Sequence, residues 1–254
     1  MNLHVESQGS GAPLLLIHGW GMHGGMWDQV ADQLAQTHTV HRVDLPGHGG
    51  SASCTPYYLD TLVQQLSAQF VEPLTLVGWS LGGQVALRWA QLHPVQVRKL
   101  VLVATTPCFV QKENWSCAMA ADTLHDFAAS LLQNHALTLK RFLALQVRGS
   151  ENEKEILSNL RAQLFAKGEP DVEALKGGLE ILRDTDLRAQ LSGISQTTLV
   201  LAGERDTLTP KAASEAMAQT LPNARLQVIQ GAAHAPFLSH PTIFMQHLMS
   251  FLNE

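Results

Sequence analysis

Short apolar runs alternate along the chain with longer stretches in which apolar residues recur every three or four positions. Six runs have the length and composition of strands: 13–18, 39–44, 74–78, 99–104, 198–202 and 226–229. Runs such as Leu14-Leu15-Leu16-Ile17 are continuous rather than alternating, the pattern of strands buried on both faces. Between the runs, 57–70, 82–92, 211–220 and 242–252 read as helices. Strands that alternate with helices predict a mostly parallel central sheet flanked by helices, an α/β fold. From 109 to 186 the pattern changes to four helical stretches, 117–133, 137–147, 152–165 and 171–184, with breaks at 150–151 and at Gly168-Glu169-Pro170. The expected organisation is one α/β core formed by 1–108 and 187–254, with a helical cap inserted over 109–186.

Composition narrows the classes. At 254 residues, 45% hydrophobic and 15% charged, the chain is a globular protein and not a disordered, collagenous or coiled-coil one. A net charge of −5 offers no general basic surface to nucleic acid. Three cysteines without a C-x-x-C pair suggest a reducing compartment and neither a disulfide framework nor a zinc knuckle. The first residues have no basic and apolar leader pattern, and no apolar run approaches the ~20 residues of a membrane span. The expectation is a cytoplasmic monomer without membrane or nucleic-acid partners.

The strongest chemical signal is Gly78-Trp79-Ser80-Leu81-Gly82-Gly83, a G-x-S-x-G turn that follows an apolar strand and opens a helix. Glycines on either side of such a sharp turn remove side chains that would collide with it, leaving the serine hydroxyl exposed above the sheet. A serine needs a base, and the base needs an orienting acid. In this context the chain order is serine, acid, histidine. Asp206 and His234 satisfy it, each on a loop just past a predicted strand, where open α/β sheets place their sites. Glu204 is the fallback acid. The backbone N–H groups of Leu81 and of Trp20, in His18-Gly19-Trp20-Gly21, are the expected oxyanion donors. His18 is read as a structural brace for that loop. The glycine-rich Asp44-Leu45-Pro46-Gly47-His48-Gly49 lacks the lysine and spacing of a phosphate loop and reads as a tight turn under the site. Twelve histidines include no H-E-x-x-H, so no metal and no cofactor are expected. Trp20 and Trp79 either wall an acyl pocket or pack in the core, and Phe142 and Leu143 either close that pocket or join cap to core. Between 140 and 167, six basic residues face three acidic ones, which fits an acidic partner or an ordinary solvated helix face.

Together these motifs resemble the α/β-hydrolase superfamily. The narrower segments Thr106-Pro107-Cys108-Phe109, Arg141-Phe142-Leu143-Ala144-Leu145-Gln146, Gly177-Gly178-Leu179-Glu180-Ile181-Leu182, Asp186-Leu187-Arg188 and Ala233-His234-Ala235-Pro236-Phe237 resemble the pimeloyl-[acyl-carrier protein] methyl ester esterase family of biotin synthesis. The resemblance implies a serine carboxylesterase that unmasks a methyl-protected dicarboxylate chain carried on acyl-carrier protein. It implies substrate contacts from Trp20, Ser80, Leu81, Phe142, Leu143, Ala144, Leu145, Gln146 and His234. Arg141 and Lys154 become candidates for docking the carrier. Leu137 and Ser158 leave that basic patch thinner than the family's. The alternatives within the fold are a broad short-chain carboxylesterase and a serine C–C bond hydrolase. A dehalogenase or epoxide hydrolase would place Asp where Ser80 stands. A ligand-binding module without catalysis would be expected to lack part of the Ser, Asp and His set.

Overall fold

The computed structural model describes residues 3–150 and 153–254; Met1 and Asn2, the break at Glu151 and the helix start at Asn152 lie outside the described residues. Seven strands form one sheet: β1 (Val5–Gln8), β2 (Ala12–Ile17), β3 (His38–Val43), β4 (Leu74–Trp79), β5 (Val97–Val103), β6 (Thr197–Gly203) and β7 (Ala224–Ile229), in the order β1-β3-β2-β4-β5-β6-β7. All pairings are parallel except that of β1 with β3. The continuous apolar runs lie in the middle of the sheet: Leu14 to Ile17 are fully buried, and every residue of β4 is buried. Helices α1 (Asp28–Leu34), α2 (Leu59–Gln69), α3 (Leu81–Leu92), α8 (Lys211–Thr220), α9 (Pro236–Ser239) and α10 (Pro241–Leu252) accompany the sheet.

Parallel strands all present their carboxyl ends at one edge. The loops after β2, β4, β6 and β7 therefore converge on the same side, on both flanks of the point where the strand order reverses. That topology brings residues far apart in sequence to one place.

Among the described residues between β5 and β6 lie four helices, α4 (Ala121–Gln133), α5 (His135–Val147), α6 (Glu153–Gln163) and α7 (Val172–Asp184). The two arms of this insertion run side by side: Cys108 bridges Asp186, and the Leu187 N–H donates to the Pro107 carbonyl at 2.9 Å. Asp171 caps α7 by accepting from the N–H groups of Glu173 and Ala174. Gly178 sits inside α7 because a Cβ there would lie 2.6 Å from the Trp20 ring.

Strand β1, helix α1 and helix α4 are among the elements that depart from the sequence reading. Strand β1 reads Val-Glu-Ser-Gln and has no apolar alternation; it exists because the β3 edge supplies hydrogen-bond partners. Helix α1 is a seven-residue element behind a 3₁₀ turn, too short to show a period. The helix expected from 117 begins at Ala121, because Met119 instead bridges Val110 and its N–H donates to the Phe109 carbonyl. Among the described residues no helix is long and apolar enough to cross a membrane.

Candidate active site

Ser80 occupies the turn between β4 and α3 with φ 56° and ψ −118°, a left-handed conformation that is strained for a residue with a side chain. The surroundings hold it there. Its N–H donates to the Val103 carbonyl at 2.9 Å, and the Thr105 hydroxyl donates to its carbonyl at 2.6 Å. The flanking glycines are required by contact: a Cβ on Gly78 would sit 2.4 Å from the Gly82 carbonyl oxygen, and one on Gly82 would sit 2.5 Å from that of Ile17. The predicted steric purpose of G-x-S-x-G is thus met atom by atom.

Asp206 follows β6, and His234 follows β7. The His234 Nδ1–H donates to Asp206 Oδ2 at 2.8 Å, with both side chains almost wholly buried. The carboxylate is itself oriented: Oδ1 accepts from the N–H groups of Leu208 and Thr209, and Oδ2 accepts from the Thr209 hydroxyl at 2.7 Å. Glu204, the fallback acid, is turned elsewhere and accepts from the Gly231 N–H. The ring of Trp79, the residue before Ser80, has its centroid 5.9 Å from that of His234. The Ser80 hydroxyl and the His234 ring are not hydrogen-bonded to each other.

Sequence reasoning missed the groups that hold the histidine. The Trp79 Nε1–H donates to the His234 carbonyl at 2.8 Å, while the His234 N–H donates to the carbonyl of Gln146, on α5, at 3.0 Å. Thr209 was legible in principle, as the third residue after an Asp that accepts from the backbone ahead of it. The Trp79 and Gln146 contacts are long-range and leave no local signal. Trp79→Phe keeps a ring in place but leaves the buried His234 carbonyl unpaired, at about 1–3 kcal/mol. The expected result is a kcat about ten- to a hundredfold lower with KM little changed. Steady-state kinetics on a short methyl ester checks it; a wild-type kcat would remove Trp79 from the positioning of His234.

The candidate oxyanion donors flank Ser80. Leu81 opens α3, where the first N–H groups have no intrahelical acceptor. Gly19 lies against Ser80, since a Cβ there would be 3.3 Å from the serine Cβ, and Trp20 follows it. His18 braces this loop as expected: Nδ1–H donates to the Gly19 carbonyl at 2.8 Å, and Nε2 accepts from the Leu45 N–H at 2.9 Å. Burial, followed by the neighbouring His48, pushes its pKa down to about 3, so it stays neutral with both nitrogens engaged. Asp44 ties the two glycine-rich loops together. Burial pushes its carboxyl up, but the N–H groups of Gly50 and Gly24 outweigh this and hold it below the usual range.

The two tryptophans separate. Trp79 packs in the core against Phe237 and Trp27, whereas Trp20 is pinned by its indole N–H to the Leu175 carbonyl of α7 and meets Phe142 and Phe127 edge-on. Trp20, Phe127, Phe142, Leu145 and Leu208 line a wholly apolar cavity of about 50 Å³. Of the other predicted contacts, Leu143 is fully buried away from this cavity, Ala144 is half-buried, and Gln146 is buried. Arg141 on α5 and Lys154 on α6 are exposed on neighbouring helices. Among the described residues no group of three His, Cys, Asp or Glu is arranged to hold a metal ion.

A family profile described as alpha/beta hydrolase fold matches residues 12–241, and the chain belongs to that family. Within it, the chain is 43% identical over 244 residues to the pimeloyl-[acyl-carrier protein] methyl ester esterase of Nitrosomonas europaea, covering 96% of this chain and 97% of the relative. It is 42% identical over 252 residues to the enzyme of the same name from Chromobacterium violaceum, covering 99% and 98%. Among solved structures, an esterase from Exiguobacterium antarcticum superposes with a TM-score of 0.91 at 26% identity, covering 99% of this chain and 96% of that one. A hydrolase from Pseudomonas aeruginosa gives 0.85 at 31% identity, covering 99% and 94%.

Proposed function

We propose that the chain is a serine carboxylesterase that hydrolyses the methyl ester of pimeloyl-[acyl-carrier protein] in biotin synthesis, releasing methanol and the free acid on its carrier. The observation that carries the chemistry is the buried Asp206–His234 hydrogen bond beside the strained Ser80 turn. The full-length similarity to enzymes of that name supports the substrate.

In this reading Ser80 attacks the ester carbonyl while His234 Nε2 takes its proton. The N–H groups of Trp20 and Leu81 receive the developing oxyanion, and together such donors typically lower the barrier by several kcal/mol. His234⁺, held by Asp206, then protonates the departing methoxide. Water activated by the same histidine releases the acyl group from Ser80. No cofactor is needed for either half. The residues at 109–186 act as a cap whose apolar inner wall, with Phe142 and Leu145, accepts the methylene chain. Arg141 and Lys154 meet the acidic carrier, and the reaction takes place in the cytoplasm with the enzyme as a monomer.

The test compares pimeloyl-carrier methyl ester with a short free methyl ester. Fast turnover of the carrier-bound ester is expected; cleavage of the short ester alone would leave a general carboxylesterase. Reversing the charge of both Arg141 and Lys154 to Glu is expected to lower kcat/KM for the carrier-bound ester about tenfold more than for the free ester, with the difference shrinking at high salt. Equal loss on both substrates would count against docking at α5 and α6.

A further inference from the structure

Leu124 on α4 and Leu179 on α7 line the apolar cavity beside Trp20 from within. The same two side chains also line the groove that runs between α4 and α7 on the outer face of the insertion. They are 4% and 5% exposed, so each is shared between an inner space of about 50 Å³ and an outer one of about 410 Å³. No polar surface faces the inner cavity, and Ala128, Leu131 and Leu132 extend the apolar lining into the groove. A hydrocarbon chain that passed these leucines would therefore meet further apolar wall before it reached the charged rim at Lys176 and Arg183.

We propose that Leu124 and Leu179 form the partition that sets how long an alkyl chain the enzyme accepts. The inference rests on the esterase reading above, and it concerns free, untethered esters, whose chains end inside the protein. The inner space is only a few water molecules in size, so a chain that outgrows it must displace part of its lining, and only past Leu124 and Leu179 does the apolar groove offer it further room. α4 and α7 pack against one another, and Gly178, next to Leu179, is pressed against the Trp20 ring; the α7 backbone has little freedom to retreat. The side chains themselves are what can yield.

Leu179→Ala takes three carbons out of the partition and joins the cavity to the groove. Each further methylene seated there is expected to raise kcat/KM about fourfold. The measurement is kcat/KM for methyl butyrate, methyl octanoate and methyl decanoate. In Leu179→Ala the octanoate-to-butyrate ratio is expected to rise at least tenfold over wild type, and in Leu179→Phe, which thickens the wall, to fall by a similar factor. Leu124→Ala provides an independent opening should Leu179→Ala fail to fold, as judged by its melting curve. Folded variants that keep the wild-type ratio would overturn the partition, while Ser80-dependent cleavage of the three esters would still support the esterase. If the wild type cleaves none of the three, the partition falls, and the esterase reading falls with it only if pimeloyl-carrier methyl ester is not cleaved either.

Discussion

Replacing Ser80 by Ala is expected to lower kcat for ester hydrolysis at least 10,000-fold. The effect is large because the mechanism has no second nucleophile at that position: a water in its place would lack the intramolecular attack that the strained turn provides. Stability should stay within about 0.5 kcal/mol of wild type. The groups that hold the turn, the Val103 carbonyl and the Thr105 hydroxyl, bond to the backbone of residue 80 and are indifferent to its side chain. Steady-state kinetics beside a thermal melt separate the two effects. More than about a tenth of wild-type activity in a folded Ser80→Ala protein would sink the assignment of Ser80 as nucleophile.

Asp206→Asn should cost about 10,000-fold in kcat by a different route. Oδ1 of Asp206 accepts two backbone N–H groups, from Leu208 and Thr209, so the amide oxygen of an asparagine must take that side. The amide NH₂ is then left facing His234 Nδ1, where Oδ2 now accepts the ring proton. Nδ1 becomes an acceptor, the ring proton moves to Nε2, and the imidazole can no longer take a proton from Ser80. KM should change little, since no substrate contact is lost. A loss below tenfold would mean that Asp206 is not the orienting acid, and Glu204 would have to be tested in its place.

Much of the candidate site was readable in the residues because its members lie at strand ends. Ser80, Asp206 and His234 each follow an apolar run, and a parallel sheet has only one edge at which such runs can end. The turn around Ser80 announces itself because its glycines are fixed by hard contact. What stayed hidden is of two kinds. Strand β1 and helix α1 are short, and they owe their form to a neighbour rather than to a period of their own. The contacts that steady His234 come from Trp79 and Gln146, on elements that touch it only in three dimensions. The rings were legible as aromatic, but their division of labour was not: Trp79 and Trp20 look alike in sequence, and only packing sends one into the core and the other against Phe142.

The paired arms at Cys108 and Asp186 bear on how such a protein can change over generations. Their ends are already neighbours, so the sheet is indifferent to how much chain lies between them, and the entropy of closing that loop grows only slowly with its length. Helices over the site can therefore be lengthened, exchanged or recharged as independent cassettes while the strand registers below stay put. Ties to the core must survive such an exchange: whatever replaces α5 must still offer a carbonyl to the His234 N–H, as Gln146 does, and whatever replaces α7 one to the Trp20 indole, as Leu175 does. Selection for a new substrate thus works on an exchangeable part, and the Gln146 carbonyl is one backbone tether through which it can still act on His234.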